Sequence, residues 1–308
     1  METIEPKKNI ETQALSALWA VNPAEASLVP DFENFNRLVS LFGGDAFKVK
    51  PAYVCADRDL FLSDAKELVA KYLSSVYLAG TSDIEIIYSH SEKKSDLASE
   101  IVKVAHAQKA QMIFLSSHAR SALGALFWGS FANELLKQSD LPVLFLRPES
   151  LTTAVLNKVL FATDFSDESK NSFQKLLRMI KGSNADLILF HTVSMPIQAT
   201  SAAEGIGYVP QLPNSYIEEE KEWAEKELER WLEEARTVGI QIRFRRIVEE
   251  SAASVAATIE KVAEEEKVAL IALASHHGPV ASLFFGSITR EILATKKFNT
   301  WVVGPTIK

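Results

Sequence analysis

Two stretches combine residue types suited to holding an oxyanion: SHARSALGALFWGSFANELL from Ser117 to Leu136, and SHHGPVASLFFGSITREIL from Ser275 to Leu293. Each runs from Ser-His through small residues to Gly-Ser and then into an apolar-periodic segment. The chemistry on offer is phosphate binding. Glycine lets backbone N–H groups come close to phosphate oxygens, and a helix N-terminus just beyond adds unpaired donors and a favourable dipole. Gly129-Ser130 and Gly286-Ser287 lie 157 residues apart, about half of the 308-residue chain. One unit is therefore written twice. The plainer reading of each Gly-Ser is a turn followed by an N-cap serine, and the residue types alone leave both readings open.

His118, His276 and His277 sit on the same two loops. Side chains of neighbours such as His276 and His277 point apart, and no carboxylate or thiol stands beside them at ligand spacing, so no metal site is expected. The chain also lacks a Gly-Lys-Ser/Thr phosphate loop, a Gly-x-Ser-x-Gly elbow and a His-Glu-x-x-His helix. No catalytic residue is assigned, and a binding protein is expected in preference to a conventional enzyme.

With 47% hydrophobic and 24% charged residues, the chain can bury cores for two ordinary domains. The net charge of −7 is shared: residues 1–150 carry 15 Lys/Arg against 19 Asp/Glu, and residues 151–308 carry 18 against 21. Neither half has the basic surplus of a nucleic-acid binder. A single cysteine, Cys55, excludes an internal disulfide and suits a reducing compartment. No apolar run approaches the roughly 20 residues that span a bilayer, and the start METIEPKKNIE has no signal-peptide core. A cytoplasmic protein is expected, with residues 1–11 disordered.

The elements that must position the two loops follow from periodicity. In the first half, strands are expected near 13–21, 47–55, 83–88, 112–115 and 143–147, alternating with helices over 30–41, 63–78, 95–107 and 130–137. In the second, strands are expected at 158–162, 186–193, 240–244, 268–273 and 300–303, with helices at 169–180, 216–237 and 251–263. Strict alternation argues for parallel sheets covered on both faces. The expectation is an α/β protein of two tandem five-stranded sheets flanked by helices, with domains at 12–150 and 151–308. The long connection Pro196–Pro213 suits a lid or binding loop. The charged helix after it carries Trp223 and Trp231 eight residues apart, on one face that packs against the sheet. Trp19, Trp128 and Trp301 are expected in the core.

VLFATDFSDES from Val159 to Ser169, His191-Thr192-Val193, both Gly-Ser segments and the strands Pro142–Phe145 and Trp301–Val303 together resemble the universal stress protein family. The resemblance covers nearly the whole chain, strongly over 157–308 and more weakly over 12–148. It implies two copies of the family's five-stranded parallel domain, of the adenine nucleotide alpha hydrolase-like fold. It also implies that the copies pair with each other through their last strands, as family dimers do; a homodimer of the whole chain is a further option.

Many family members bind ATP or AMP, and another branch binds no nucleotide. The nucleotide-binding pattern is Gly, two residues, Gly, nine residues, then Gly-Ser or Gly-Thr. Here only its end is kept. Ser116 and Ala119 replace the first two glycines before Gly129, and Leu273 and His276 replace them before Gly286. By resemblance, Asp164 faces the adenosine moiety and Val193 contacts adenine, while Asn22 replaces the aspartate in the first copy. A turn or cap role is the local alternative for Asp164. The candidate ligand residues are thus Asp164, Val193, Ser275, His276, Gly286 and Ser287 in the second copy. In the first they are Asn22, Ser116, Ser117, His118, Gly129 and Ser130. The function implied is a stress-response regulatory protein binding a small molecule, with ATP or AMP as candidates. Competing with it are a scaffold or a binder of another small or lipid-like ligand and, well behind, a slow ATPase.

Overall fold

The computed structural model describes residues 15–22, 32–43, 46–55, 61–74, 84–116, 130–147, 155–181, 183, 185–194, 214–237, 243–251, 254–274, 286–295 and 297–304. Residues 1–11, Trp128 and the Pro196–Pro213 connection lie outside them. In the first half, the strands are β1 (Ser16–Ala20), β2 (Lys48–Cys55), β3 (Glu85–Tyr88), β4 (Met112–Ser116) and β5 (Val143–Leu146). The helices between them are α1 (Phe32–Leu41), α2 (Leu62–Leu73), α3 (Lys94–Ala107) and α4 (Ser130–Gln138). The second half repeats the order with β6 (Val155–Ala162), β7 (Asp186–Ser194), β8 (Arg243–Ser251), β9 (Val268–Ala274) and β10 (Asn299–Val303). Its helices are α5 (Asp167–Ile180), α6 (Asn214–Thr237), α7 (Val255–Glu265) and α8 (Ser287–Thr295).

The expected α/β alternation is present, with one correction. Instead of two separate sheets there is a single ten-stranded sheet, ordered β3-β2-β1-β4-β5-β10-β9-β6-β7-β8. All pairings are parallel except that of β5 with β10, which is antiparallel with Thr300 opposite Phe145, Trp301 opposite Leu144 and Val302 opposite Val143. The physical reason is that every residue of β5 and β10 is buried. Each half-sheet alone would leave an apolar strand with an unpaired ladder, an invitation to pair. The seam is further held by the buried Asn299. Its Oδ1 accepts from Arg147 N at 2.9 Å, and its Nδ2 donates to Ala269 O at 3.2 Å.

The core follows the same logic. One apolar cluster lies on the face covered by α1, α2, α5 and α6, and a second on the face covered by α3, α4, α7 and α8; each runs through both halves without a break. On α1, Phe35, Leu38 and Leu41 are buried in a 3.6-residue stripe. Trp19 and Trp301 are fully buried, as expected. Lys175 of α5 reaches across to donate to Asp140 O at 3.0 Å, and Asp140 Oδ1 meets His106 Nε2 at 2.8 Å. Burial pushes the Lys175 ammonium below its usual range, against the opposing pull of Asp140.

The outermost strand of the second half departs from the expected 240–244. It runs Arg243–Ser251, in parallel register with the full length of β7 from Asp186↔Arg243 to Ser194↔Ser251. Its sequence RFRRIVEES is highly charged, which obscures it in a search for apolar alternation but is acceptable at a sheet edge.

Substitutions at two positions test the seam. A Cβ on Gly304, immediately after β10, would lie 2.7 Å from the carbonyl oxygens of both Leu136 and Ser139 at the end of α4. Backbone cannot yield as a side chain can, so Gly304→Ala is expected to lower stability by about 1–3 kcal/mol in a urea titration. The indole N–H of Trp301 is buried with no hydrogen-bond partner among the described residues. Trp301→Ala is expected to cost about 3–5 kcal/mol. Trp301→Phe removes the unsatisfied donor and is expected to stay within about 1 kcal/mol of the parent.

Candidate functional site

In each half the strand order reverses between the first and fourth strands, β1 beside β4 and β6 beside β9. Chains leaving the carboxyl ends of such neighbours diverge to opposite faces and open a crevice, where ligands of open α/β sheets bind. In the second half Asp164 stands at this crevice, two residues beyond β6.

The turn that presents it is built from short polar side chains. Thr163 extends the β6–β7 pairing by donating its N–H to Phe190 O at 2.9 Å. Phe165 N then donates to Thr163 Oγ1 at 2.9 Å. Asp164 Oδ1 gathers three donors: Ser166 N at 3.1 Å, Ser166 Oγ at 2.7 Å and Ser169 Oγ at 2.8 Å. Ser166 in turn caps α5, accepting from Ser169 N at 3.1 Å. Asp164 therefore organises the turn, which is the local role expected of such an aspartate, while remaining exposed at the crevice.

The other candidates fall around it unevenly. Val193 is buried near the end of β7, and Gly286 is half-buried where its carbonyl accepts the Arg290 N–H of the first turn of α8, with Ser287 exposed beside it. Ser275 and His276 lie outside the described residues. In the first half Asn22 follows β1, half-buried, and Ser130 is exposed at the start of α4. Ser116 is buried, and its Oγ accepts from Trp19 Nε1 at 3.4 Å. That hydroxyl is turned into the core. Ser117, His118 and Gly129 lie outside the described residues. Among the described residues no group of three or more His, Cys, Asp and Glu side chains could hold a metal ion. No helix among them is long and apolar enough to cross a membrane.

Sequence reasoning missed the aromatic corner beside Asp164. Phe165 adopts a left-handed backbone, with φ of 62°, an outlier for a bulky residue. Its ring packs on His191 at 4.6 Å, on Trp223 at 5.0 Å edge-on and on Trp231 at 5.8 Å. Trp231 is fully buried and stacks on Phe173, as a core residue should. Trp223 packs only in part and is 47% exposed. His191 Nδ1 lies 2.9 Å from Thr163 O; a carbonyl can only accept, so the neutral ring carries its proton on Nδ1. Burial pushes the His191 imidazolium below its ordinary range, opposed by the Thr163 carbonyl and by the charges of Asp164 and Glu220. The available signal was positional: His191 lies two residues before Val193, on the same face of β7.

Known proteins share this plan. The sequence profile of the universal stress protein family matches residues 46–147 and again residues 156–304. The chain belongs to the universal stress protein family. Among solved structures, it is similar to a universal stress protein from Archaeoglobus fulgidus, with 16% identity, coverage of 95% of this chain and 99% of that one, and a TM-score of 0.54. It is also similar to a functionally unknown protein from Pseudomonas aeruginosa, with 15% identity, coverage of 95% and 94%, and a TM-score of 0.56. At these identities the likeness concerns the fold. No curated protein sequence matches the chain significantly. The first family match begins at Ala46 and so leaves out β1, α1 and Asn22. The second includes the β6–α5 turn with Asp164.

A pH dependence follows for the second universal stress protein unit. A histidine whose folded value is depressed contributes stability that is present above its unfolded value, near 6.5, and is lost as pH falls through the folded value. Urea midpoints should therefore drop between pH 7 and pH 5. Replacing His191 with Gln should remove that part of the slope, and an identical slope in the variant would contradict the assignment.

Proposed function

We propose that the chain is a cytoplasmic stress-response regulatory protein that takes a small ligand at the carboxyl ends of β6, β7 and β9, with an adenine nucleotide, ATP or AMP, as the first candidate. The observation that carries this reading is the exposed Asp164 carboxylate at the β6/β9 switch point, on the half that matches the family from its first strand onward. A carboxylate there suits the hydroxyls of a ribose, as acceptor of charge-assisted hydrogen bonds. The N-terminus of α8 at Gly286-Ser287 follows β9, the strand beside β6, and suits a phosphate. The first half is the weaker candidate, because Asn22 lacks the charge and Ser116 is held by Trp19. The lone Cys55 is buried and in no disulfide, which suits a reducing compartment.

A second reading is a member of the family that binds a different small molecule. The half-exposed aromatic corner over Asp164, with Glu220 beside it, favours that reading in part.

Protein purified from cells and denatured is expected to release AMP or ATP detectable by mass spectrometry. Calorimetry with AMP should show binding weakened about tenfold by Asp164→Asn, the equivalent of ~1.4 kcal/mol. Asparagine keeps an oxygen for Ser166 and Ser169, so the turn should survive. Protein that releases no nucleotide and gives no heat with AMP would exclude the nucleotide reading.

A further inference from the structure

Helix α6 is longer than the surface it covers. Its apolar residues from Ala224 through Leu228, Trp231 and Leu232 to Ala235 are buried. The turns before them carry Tyr216, Glu220 and Trp223 at i, i+4 and i+7, which places all three on one side of the helix. Two are aromatic and uncovered, Tyr216 at 45% and Trp223 at 47% exposure. Between them, the negative charge of Glu220 beside the Tyr216 hydroxyl raises the phenol above its ordinary range.

Beneath this face lies the β6–α5 turn. Phe165 packs between His191 and Trp223 and so props the indole from one edge. His191 commits Nδ1 to Thr163 O, and its Nε2 lone pair has no partner among the described residues. The charged groups that act on His191 are Asp164, from the turn, and Glu220, from α6; both are carboxylates. An anion arriving here would meet two like charges and an imidazole lone pair. A cation would meet two carboxylates, an N–H acceptor and two electron-rich rings, the arrangement in which aromatic side chains hold ammonium ions.

We propose that Tyr216, Glu220 and Trp223, with Phe165 and His191 beneath them, form a binding site for a small primary ammonium ion carried on an apolar or aromatic body. The ammonium pairs with Glu220 and donates to His191 Nε2, and the body lies on the exposed indole of Trp223. The site is separate from the proposed nucleotide crevice. Asp164 is the residue common to both surroundings, and the new site does not depend on nucleotide binding.

The test is calorimetry on the full chain at pH 7.5 with phenethylammonium, and with phenylacetate as an anion of similar shape. Saturable binding of the ammonium and none of the phenylacetate is expected. Glu220→Gln should weaken it at least about tenfold, as for a charge-assisted contact, and Trp223→Leu about threefold to fivefold, as for an aromatic contact at an exposed site. Glu220 is half-buried and Trp223 exposed, and circular dichroism checks that the variants fold. On the parent protein the His191 Hε1 resonance should shift during the titration, a readout that needs no variant. Absence of saturation up to about 10 mM, well short of any affinity of interest, would overturn the site. So would equal binding of phenylacetate, unchanged affinity in both variants, or an unmoved His191 signal. Titrating AMP into the same variants separates the two sites. Loss of AMP binding in Trp223→Leu would overturn their separateness, whereas AMP failing to bind the parent bears only on the nucleotide reading.

Discussion

The antiparallel pairing of β5 with β10 is the constraint on which the rest depends. Each five-stranded unit ends in a strand that is apolar along its whole length, and neither could face water as an edge. Joining the two converts ten strands into one sheet and lets each apolar layer continue through the seam. A two-fold operation that brings the last strands together also turns the two crevices to related positions. Duplication thus yields one body with two points of strand-order reversal, and it fixes where those points lie before any side chain there is chosen.

Within that body the two ends have been put to different use. In the first half the hydroxyl of Ser116, at the end of β4, satisfies the indole of Trp19, which stacks on Phe35 in the core. A side chain held by the core cannot also turn outward. In the second half Asp164, Ser166 and Ser169 satisfy one another, and Thr163 Oγ1 accepts from Phe165 N, in a turn that keeps Asp164 exposed. The family profile draws the same distinction, since it matches the second unit from its first strand and the first only from Ala46. Similar folds therefore support unequal sites, as expected where scaffold and site answer to different constraints.

Most of the fold was legible because its signals are local and redundant. Alternating strands and helices, the stripe of Phe35, Leu38 and Leu41, and the apolar β4, β5, β9 and β10 all state their burial in the sequence. The edge strand β8 lies further along the chain than the alternation at 240–244 suggests, because its position is set by pairing with β7, a non-local constraint, and RFRRIVEES gives little periodicity. The single sheet is half legible: the resemblance implies pairing of the last strands, and that pairing, antiparallel between β5 and β10, makes one sheet of two. The turn organised by Asp164 could be read from its neighbours in sequence. The corner of Phe165, His191 and Trp223 could not, because it assembles residues from a turn, a strand and a helix whose separation along the chain carries no pattern.

That corner also explains an otherwise costly feature. A phenylalanine in the left-handed region carries strain on the order of 1–3 kcal/mol, which persists only where surrounding contacts over-determine it. Here the contacts are aromatic on three sides, from His191, Trp223 and Trp231, and each such pair adds about 0.5–1.5 kcal/mol beyond its buried area. Trp231, buried beneath, is enough to anchor the helix. Trp223 and Tyr216 extend the same face into solvent, where burial contributes least. A half-exposed indole held edge-on by a strained ring that also packs on His191, itself acted on by two carboxylates, is poorly accounted for by packing alone. Its electrostatics are opposite to those required by a phosphate, so the proposed nucleotide would lie on the β9 side of Asp164 and the proposed cation on the α6 side. The same aspartate would then stand at the border of two surfaces of opposite preference, close enough for occupancy of one to alter the charge felt by the other.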